Sequence, residues 1–472
     1  MDLEIVDVGS VPQLQGIFAP VTRELDRVAL DVTQGSLPED INGSYLRNGP
    51  NPRFTPLGSY TYPLDGDGMV HGVSFGAGEA HYTNRFVRTP ALDVEEAAGR
   101  ALWPGIMTGS FPSAEDVGEE LAGSFRDMVD INVIRHAGRI LALAEGDRAF
   151  ELDESLATVG PWNADGALPN GLCAHPKIDP VSGELVVFRY GITEEPWLTW
   201  AALAADGSVS RPETPIAIDA PYMIHDCAIT EAHLVLYVCP LRFDIESMLT
   251  GGSMLAWEPE RGTRIAVIDR ASGEVSWFDT DTFWVWHIAN AFCTDSGSGH
   301  REVVVDLPVW NHCGMGIVEE PSTGRVLRQR FVPDTGEMST EVLSEEMTEF
   351  PRVDDRLVGA EHRWFHVASK DPDHPTGAAG EWNRLLRFDT ATGAVQDRRG
   401  GKRCFGEAVF VPRAGADAAS GEGYLLTYTY DTETLRTELV LLDATDIAAE
   451  PVATLAMPQR VPFGLHGNWL PD

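Results

Sequence analysis

Lysine is almost absent from this chain, and its scarcity sets the character of the surface. Only Lys177, Lys370 and Lys402 occur among 472 residues, so arginine supplies nearly all of the positive charge. The 72 acidic residues outnumber the 35 basic ones and give a formal net charge of −37. Because such a surface repels nucleic acid and anionic lipid headgroups, we expect no nucleic-acid partner. A solvated acidic surface is the simplest explanation of the imbalance.

Long apolar runs are missing as well. No stretch of 18 or more apolar residues occurs, which argues against a membrane-spanning helix. The segment from Met1 to Gln15 has early acidic residues and no basic region followed by an apolar run. We therefore expect no secretory leader and a cytoplasmic location. The six cysteines are scattered without a CxxC pair, and in such a chain we expect reduced thiols in the core.

Helical periodicity is scarce too. It predicts helices over only three segments, which are residues 93–102, 114–128 and 243–249. Elsewhere, short apolar or alternating runs predict β-strands. The clearest of these runs are residues 185–190, 234–238, 263–268, 302–305, 385–388, 424–430 and 437–442. The chain is therefore predicted to be almost entirely β-structure.

A recurring turn separates several of the predicted strands. Residues 179–183, 269–273 and 389–393 read DPVSG, DRASG and DTATG. An Asp at the start and a Gly at the end are typical of tight turns between antiparallel strands. These three segments therefore predict hairpins.

A weak long period organises the chain. Six positions follow one another at intervals of 50, 62, 62, 58 and 59 residues, and they are His175, His225, His287, Glu349, Glu407 and His466. Antiparallel units of this size are typical of β-propeller blades, whose innermost strands face one axis. About seven units of roughly 60 residues would account for most of the chain. We therefore predict an all-β, seven-bladed propeller that forms a single domain over residues 1–472, with these side chains converging on the axis.

Four of the 13 histidines stand apart because apolar or aromatic residues flank them at predicted strand edges; they are His175, His225, His287 and His466. Spacing alone is a weak signal, since no HxH or HxxxH pair occurs. Four others lie in charged or glycine-rich surroundings and are expected at the surface; they are His136, His300, His362 and His374. The contexts of His71, His233, His312 and His366 do not decide between core and surface.

Eight short motifs follow one another along almost the whole chain. They are NGSYLRNGPNP (42–52), LDGDGMVH (64–71), AHPK (174–177), IHD (224–226), WHIANAF (286–292), EFPR (349–352), GEAVFVP (406–412) and LHGNW (465–469). No single motif decides the matter, but eight in this order are specific. The chain resembles the carotenoid cleavage oxygenases, a family of apocarotenoid oxygenases, stilbene- and isoeugenol-cleaving enzymes and the retinal pigment epithelium isomerase.

The resemblance implies a seven-bladed propeller capped by a dome of loops and short helices. It also implies one Fe²⁺ per chain, with His175, His225, His287 and His466 as ligands. Three carboxylates are implied to orient these rings, with Glu145 paired to His225, Glu349 to His287 and Glu407 to His466. His175 would have no carboxylate partner. Four neutral imidazoles suit Fe²⁺ and leave two octahedral positions open.

The implied reaction splits an electron-rich C=C bond with O₂ into two carbonyl products, without an external reductant. Stilbene- and isoeugenol-cleaving members usually carry a Lys before the first of these Glu residues and a Tyr upstream, which engage a 4-hydroxyl group. Here Ala144 precedes Glu145, and no Tyr occurs between Phe86 and Glu145. We therefore expect a carotenoid or apocarotenoid substrate. Ile131 stands where some apocarotenoid members have a Thr, near the open metal position.

Two alternatives remain: a stilbene or phenylpropanoid dioxygenase of the same family, and a metal-free propeller that serves as a binding scaffold.

A lipophilic substrate would partition into membranes, so we expect an apolar docking patch on the otherwise acidic surface. Eight large apolar residues lie between positions 241 and 257, and Leu241, Phe243, Met248 and Leu249 are the main candidates. Either they form a substrate-access patch that contacts a membrane transiently, or they belong to the core beneath the dome.

Overall fold

The computed structural model describes residues 3–472 except 147, 298, 375 and 377–379. Within that range strands dominate and helices are short. The α-helices are α1 (Pro90–Ala98), α2 (Ala114–Val117) and α3 (Ile245–Leu249). Single 3₁₀ turns lie at Val8–Ser10, Pro12–Leu14, Gly16–Phe18, Ile106–Thr108, Ala164–Gly166, Pro259–Arg261, Asp355–Leu357 and Ala418–Ser420.

Seven antiparallel sheets form the blades of a propeller, as predicted. Five strands come before the first blade: β1 (Leu25–Ala29), β2 (Asp31–Gly35), β3 (Gly43–Arg47), β4 (Met69–Gly76) and β5 (Glu79–Phe86). Blade one contains β6 (Asn132–His136), β7 (Arg139–Leu143), β8 (Ala149–Leu152) and β9 (Thr158–Trp162). Blade two contains β10 (Lys177–Ile178), β11 (Leu185–Tyr190), β12 (Leu198–Leu203) and β13 (Val209–Pro215).

Blade three carries an inserted hairpin. Its strands are β14 (Cys227–Ile229), β15 (His233–Val238), β18 (Thr263–Asp269) and β19 (Val275–Thr280), and the hairpin is β16 (Leu241–Phe243) with β17 (Leu255–Trp257). Blade four contains β20 (Asn290–Asp295), β21 (Arg301–Trp310), β22 (Gly324–Val332) and β23 (Glu337–Ser344). Blade five contains β24 (Thr348–Arg352), β25 (Trp364–Ser369), β26 (Arg384–Asp389) and β27 (Val395–Arg399).

The last two blades combine strands from both ends of the chain. Blade six contains β28 (Arg403–Phe405), β29 (Val409–Pro412), β30 (Gly423–Asp431), β31 (Thr437–Asp443) and β32 (Ala453–Ala456), with β2 paired to β32 at its edge. Blade seven consists of β33 (Gly467–Pro471) followed by β3, β4, β5 and β1. Arg47 of β3 lies opposite Gly467 of β33. Strand hydrogen bonds therefore close the ring of blades.

The predicted strands and turns are confirmed, and most strands extend only a residue or two beyond the predicted bounds. In each DxxxG turn the Gly N–H donates to the carbonyl of the leading Asp at 2.8 Å, as in Gly183 with Asp179 and Gly273 with Asp269. These glycines take the left-handed conformation, with φ of 73° at Gly183 and 83° at Gly273. The turn chemistry was therefore sufficient to place these hairpins.

The helix predictions are only partly right. The segment 93–102 overlaps α1, which begins at Pro90 because Thr89 caps it and ends before Gly99, whose φ is 69°. The prediction of a helix over residues 114–128 is wrong. There α2 ends at Val117, because Gly118 has a φ of 86° and leaves the helical conformation. In the third segment only α3 is helical, and Phe243 belongs to β16.

Two histidines predicted at the surface are in fact buried. His136 lies in β6 with its Nε2 3.2 Å from the Gly183 carbonyl, and His362 Nε2 lies 3.1 Å from a carboxylate oxygen of Asp306. Neighbouring sequence gave no sign of these long-range partners. The side chains of His300 and His374 are 42% and 68% exposed, as expected. The four undecided histidines, His71, His233, His312 and His366, are all buried.

The predicted substrate-access patch is wrong for three of its four main residues. Leu241, Phe243 and Met248 are buried, because the β16–β17 hairpin and α3 pack against the core of blade three. Leu249 alone among the four is exposed, at 67%. All six cysteines are free thiols, and all but Cys293 are buried. Within the described residues, none of the helices has the length and hydropathy needed to cross a bilayer.

Candidate metal centre

Four histidines from four different blades meet at one point. One side-chain nitrogen from each of His175, His225, His287 and His466 lies within 4.8 Å of the other three, and all four residues are buried. The Nε2 atoms of His175 and His225 are 3.2 Å apart. Each histidine comes one to three residues before the first strand of its blade, which is β10, β14, β20 or β33. The propeller therefore brings together side chains that are far apart in sequence.

The three remaining blades supply carboxylates. Glu145 follows β7 of blade one, Glu349 lies in β24 of blade five, and Glu407 precedes β29 of blade six. All three expected carboxylate–imidazole contacts are formed in the structure. Glu145 Oε2 lies 2.7 Å from Nδ1 of His225, Glu407 Oε1 accepts from Nδ1 of His466 at 3.0 Å, and Glu349 Oε2 accepts from Nδ1 of His287. A partner on Nδ1 leaves Nε2 to face the centre.

His175 differs from the other three. Among the described residues no carboxylate contacts its ring, as the resemblance implies. Its ring packs against the imidazoles of His225 and His466 at centroid distances of 4.6 and 4.4 Å. The ring orientation of His175 is therefore set by its neighbours in the cluster.

Each carboxylate is anchored by a different group. Glu145 Oε1 accepts from the Tyr190 hydroxyl at 2.8 Å, and Glu349 Oε2 accepts from the backbone N–H of Phe350 at 2.8 Å. Glu407 Oε2 accepts from the N–H of Gly467 at 2.8 Å, and its Oε1 lies 3.5 Å from an Arg352 nitrogen. Sequence reasoning missed Tyr190 and Arg352. Arg352 is the last residue of the EFPR motif, so the sequence contained a signal for it. No motif near Tyr190 indicated a contact with Glu145.

The electrostatics favour neutral imidazoles at two positions. The pKa of His175 and that of His287 lie well below the ordinary value, because burial and the neighbouring imidazoles disfavour a charged ring. Burial acts in the same direction on His225, but Glu145 raises the pKa of that ring by stabilising its protonated form. The buried Nε2 of His287 has no hydrogen-bond partner among the described residues. A compact set of buried imidazole nitrogens fits a divalent transition-metal ion.

Two cavities flank the cluster. The apolar cavity, about 370 Å³, touches His225, His287 and His466 and has Trp286, Phe350, Phe463 and Leu465 among its walls. The second cavity, about 480 Å³, touches His175, His287 and His466, and we call it the polar cavity because charged side chains such as Lys177 and Arg352 lie among the apolar residues of its walls. Ile131 is buried, lines the apolar cavity, and accepts the backbone N–H of His466 at 3.1 Å. It therefore lies beside the cluster on the apolar side.

Comparison with known proteins gives this geometry a family. A family model described as retinal pigment epithelial membrane protein matches residues 18–471. A carotenoid cleavage oxygenase from Mycobacterium tuberculosis is 32% identical, with 98% of this chain and 97% of that protein covered. The isoeugenol monooxygenase of Pseudomonas putida is 30% identical, with coverage of 97% and 98%. The chain belongs to the carotenoid cleavage oxygenase family.

Solved structures of carotenoid cleavage oxygenases share the fold. The Pseudomonas brassicacearum lignostilbene dioxygenase superposes with a TM-score of 0.89 at 30% identity, covering 98% of this chain and 99% of that one. Cobalt-substituted Synechocystis apocarotenoid oxygenase gives a TM-score of 0.84 at 28% identity, covering 96% and 97%. Because the relatives are oxygenases, this chain is an oxidoreductase that incorporates molecular oxygen. The interpretation as a non-enzymatic scaffold is thereby excluded.

Proposed function

We propose that this protein is a non-haem Fe²⁺ dioxygenase that cleaves a C=C bond of a carotenoid or apocarotenoid. One Fe²⁺ per chain is held by His175, His225, His287 and His466. The observation that carries the proposal is the placement of four buried imidazoles at the end of an apolar, aromatic cavity. In the reaction one O₂ is consumed per double bond, each alkene carbon takes one oxygen atom, and both the C=C and O–O bonds break. Two carbonyl products account for every atom and electron, so no reductant is needed.

The side chains of the protein orient the metal ligands and shield the site from water. Fe²⁺, when bound, supplies the activation of O₂. Glu145, Glu349 and Glu407 fix the rings of three histidines through Nδ1, so that their Nε2 atoms stay aimed at the centre. The walls of the apolar cavity hold one double bond beside the metal and exclude water. No side chain is required to donate or remove a proton.

The cavity walls support a hydrocarbon substrate over a phenol. Among the described residues the apolar cavity has no Lys or Arg in its lining, and apart from histidine its charged group is Glu349. A phenolate in that cavity would therefore lack a cationic side chain to stabilise it. Ala144, in the position where phenol-cleaving members carry a Lys, is buried and small. The aromatic rings of Trp286, Phe350 and Phe463 suit a conjugated chain.

A second candidate is a dioxygenase for hydroxylated aryl alkenes. The high structural similarity to the lignostilbene dioxygenase favours it. Tyr60 and Tyr62 also line the apolar cavity, and the buried Tyr62 hydroxyl has no hydrogen-bond partner among the described residues. A hydroxyl group of that kind is able to bind a phenol without a cation.

The test is a substrate panel with iron-loaded protein. β-Carotene, apocarotenals, isoeugenol, and resveratrol with its 4′-methyl ether are incubated under ¹⁸O₂, and the carbonyl products are identified by mass spectrometry. We expect cleavage of a carotenoid or apocarotenoid with one ¹⁸O atom in each product, and no preference for a free 4-hydroxystilbene over its methyl ether. A strong preference for the free phenol would replace the first candidate by the second.

Two further expectations belong to this proposal. We propose that residues 1–472 fold as one domain, and the pairing of β2 with β32 and of β3 with β33 supports it. We also propose a cytoplasmic location. Transient contact with a membrane remains an alternative in which the exposed Leu249 would take part.

A further inference from the structure

The polar cavity has no role in the reaction just proposed, yet it reaches the same histidines. The residues on either side of each histidine in the sequence show where the polar cavity lies. Residues that come before the ligands, such as Trp286 and Leu465, line the apolar cavity. Residues that follow them, such as Lys177, Ile288 and Asn468, line the polar cavity. The first strands of the blades therefore lead away from the cluster along the walls of the polar cavity.

The outer end of the polar cavity is open to solvent. Two of its lining residues, Pro180 and Pro471, are exposed, whereas His175, His287 and His466 at its inner end are buried. Pro180 belongs to the DPVSG turn between β10 and β11. The cavity thus connects the four-histidine cluster to the surface by a path separate from the apolar cavity.

The walls of this path carry paired charged groups among apolar side chains. Lys177 donates to Asp226 Oδ1 at 2.7 Å, and the other oxygen of Asp226 accepts from the N–H of Ile288 at 2.8 Å. Arg352 donates to Asp355 at 3.0 Å. Because each of these charges has a partner, the walls offer hydrogen bonds to water without a strong net field.

These two environments suit different cargoes. A hydrated divalent ion loses its water shell if it passes between aromatic side chains, and the desolvation of an unpaired charge is prohibitive there. The paired charged groups in the walls of the polar cavity hold water by hydrogen bonds, so the ion keeps most of its shell until the imidazoles replace it. We propose that the polar cavity is the path by which the metal ion and exchanging water reach the four histidines, while the apolar cavity takes the organic substrate. This inference rests on the proposed metal site.

The experiment measures metal uptake and not turnover. Metal-free protein is mixed with Co²⁺ or, under anaerobic conditions, Fe²⁺, and bound metal is followed with time by rapid gel filtration and elemental analysis. Pro180→Lys and Pro180→Glu place opposite charges at the exposed end of the polar cavity. Val358→Trp narrows the same cavity from a half-buried position in its wall. Gln13→Lys is the matched control, since Gln13 lines the apolar cavity.

At low ionic strength we expect Pro180→Lys to slow uptake about threefold and Pro180→Glu to speed it by a similar factor, as for one charge near a divalent ion's path. Val358→Trp should slow both uptake and chelator-driven loss, with the final metal content unchanged. Gln13→Lys should leave uptake unchanged and raise the KM for substrate. If neither Pro180 variant nor Val358→Trp alters the rate, or if Gln13→Lys slows it, the path is overturned. A wild-type protein that takes up no stoichiometric metal would instead overturn the metal site itself.

Discussion

Two of the carboxylate–histidine pairs, Glu349 with His287 and Glu407 with His466, are chemically identical but have different surroundings. Burial raises the pKa of Glu349 to about 8. Burial acts the same way on Glu407, yet Arg352 and His466 hold the pKa of Glu407 at about 2. Arg352 has the largest effect of the groups that lower the pKa of Glu407, and its contact at 3.5 Å with Glu407 has no counterpart at Glu349 among the described residues. Two carboxylate–imidazole contacts of the same type therefore differ in the pKa of the carboxyl group, because the neighbouring groups differ.

The largest effect should come from removing the imidazole rings, because the carboxylate–histidine pair is then lost. His287→Ala or His466→Ala is expected to abolish activity and sharply lower bound iron, because each removes a proposed ligand. Elemental analysis of the purified variants measures the loss. His136→Ala is the control, since His136 is a buried histidine outside the cluster. Full turnover by either ligand variant would exclude this ligand set.

Neutralising each carboxylate separates the two pairs. Glu349→Gln and Glu407→Gln should each lower activity or iron affinity roughly 10–100-fold, because the histidine loses the carboxyl partner that orients its ring. Glu407→Gln should in addition destabilise the fold by about 1–3 kcal/mol, because the half-buried Arg352 keeps only Asp355 as a carboxylate partner. Denaturant titration beside metal titration distinguishes the two. Wild-type behaviour of both variants would show that these carboxylates do not support the metal.

A smaller effect is expected when only the cation behind Glu407 is removed. Arg352→Met should weaken iron binding several-fold, because Glu407 is then less strongly ionised while its contact with His466 remains possible. Arg399→Met is the control, since Arg399 pairs with Asp371 and Asp373 away from the cluster. Metal titrations of the two variants side by side make the measurement. Equal iron affinity of Arg352→Met and the wild type would show that Arg352 does not affect the metal site through Glu407.

The last effect does not involve the metal and should appear in the pH dependence of stability of the metal-free protein. The folded-state pKa of Glu349, about 8, lies above its ordinary value of 4.5, so folded protein binds more protons between these limits. Its contribution to stability is therefore present below pH 4.5 and is lost as the pH rises toward 8. For Glu407 the contribution is present above pH 4.5 and is lost as the pH falls toward 2.

Thermal melts of the metal-free protein across this range measure both contributions. Glu349→Gln should flatten the fall in Tm between pH 5 and 8, and Glu407→Gln should leave that slope unchanged. Equal slopes for the wild type and Glu349→Gln would contradict the raised pKa.

The sequence was sufficient for the parts of the fold that depend on local chemistry. The Asp and Gly of the DxxxG turns placed three hairpins, and the spacing between His225 and His466 indicated blades. Partners brought together by long-range strand pairing were not predictable. The hydroxyl of Tyr190 reaches Glu145 across 45 positions of sequence, and His362 reaches Asp306 across two blades. No local pattern encodes such contacts.

The segment around Phe243 shows the limit of hydropathy most clearly. A dense run of apolar residues is expected from either a docking surface or a core, and composition does not distinguish the two. Phe243 is buried because it stacks on Tyr190 of the neighbouring blade at 5.6 Å. A contact between two blades therefore determines the burial of Phe243, and the local sequence does not predict that contact.

The joining of the chain ends in blade seven has a consequence for biosynthesis. His466 comes one residue before β33, and β33 finds its partner β3 more than 400 residues earlier in the chain. The chain up to Leu465 is therefore synthesised before the fourth imidazole can take its place. Until then the nascent chain offers three histidines and an unpaired β3 edge, which is a site for mispairing. Completion of the four-histidine site therefore waits for the synthesis of the segment that contains His466, and a chain cut short before His466 would lack both the pairing and the complete cluster.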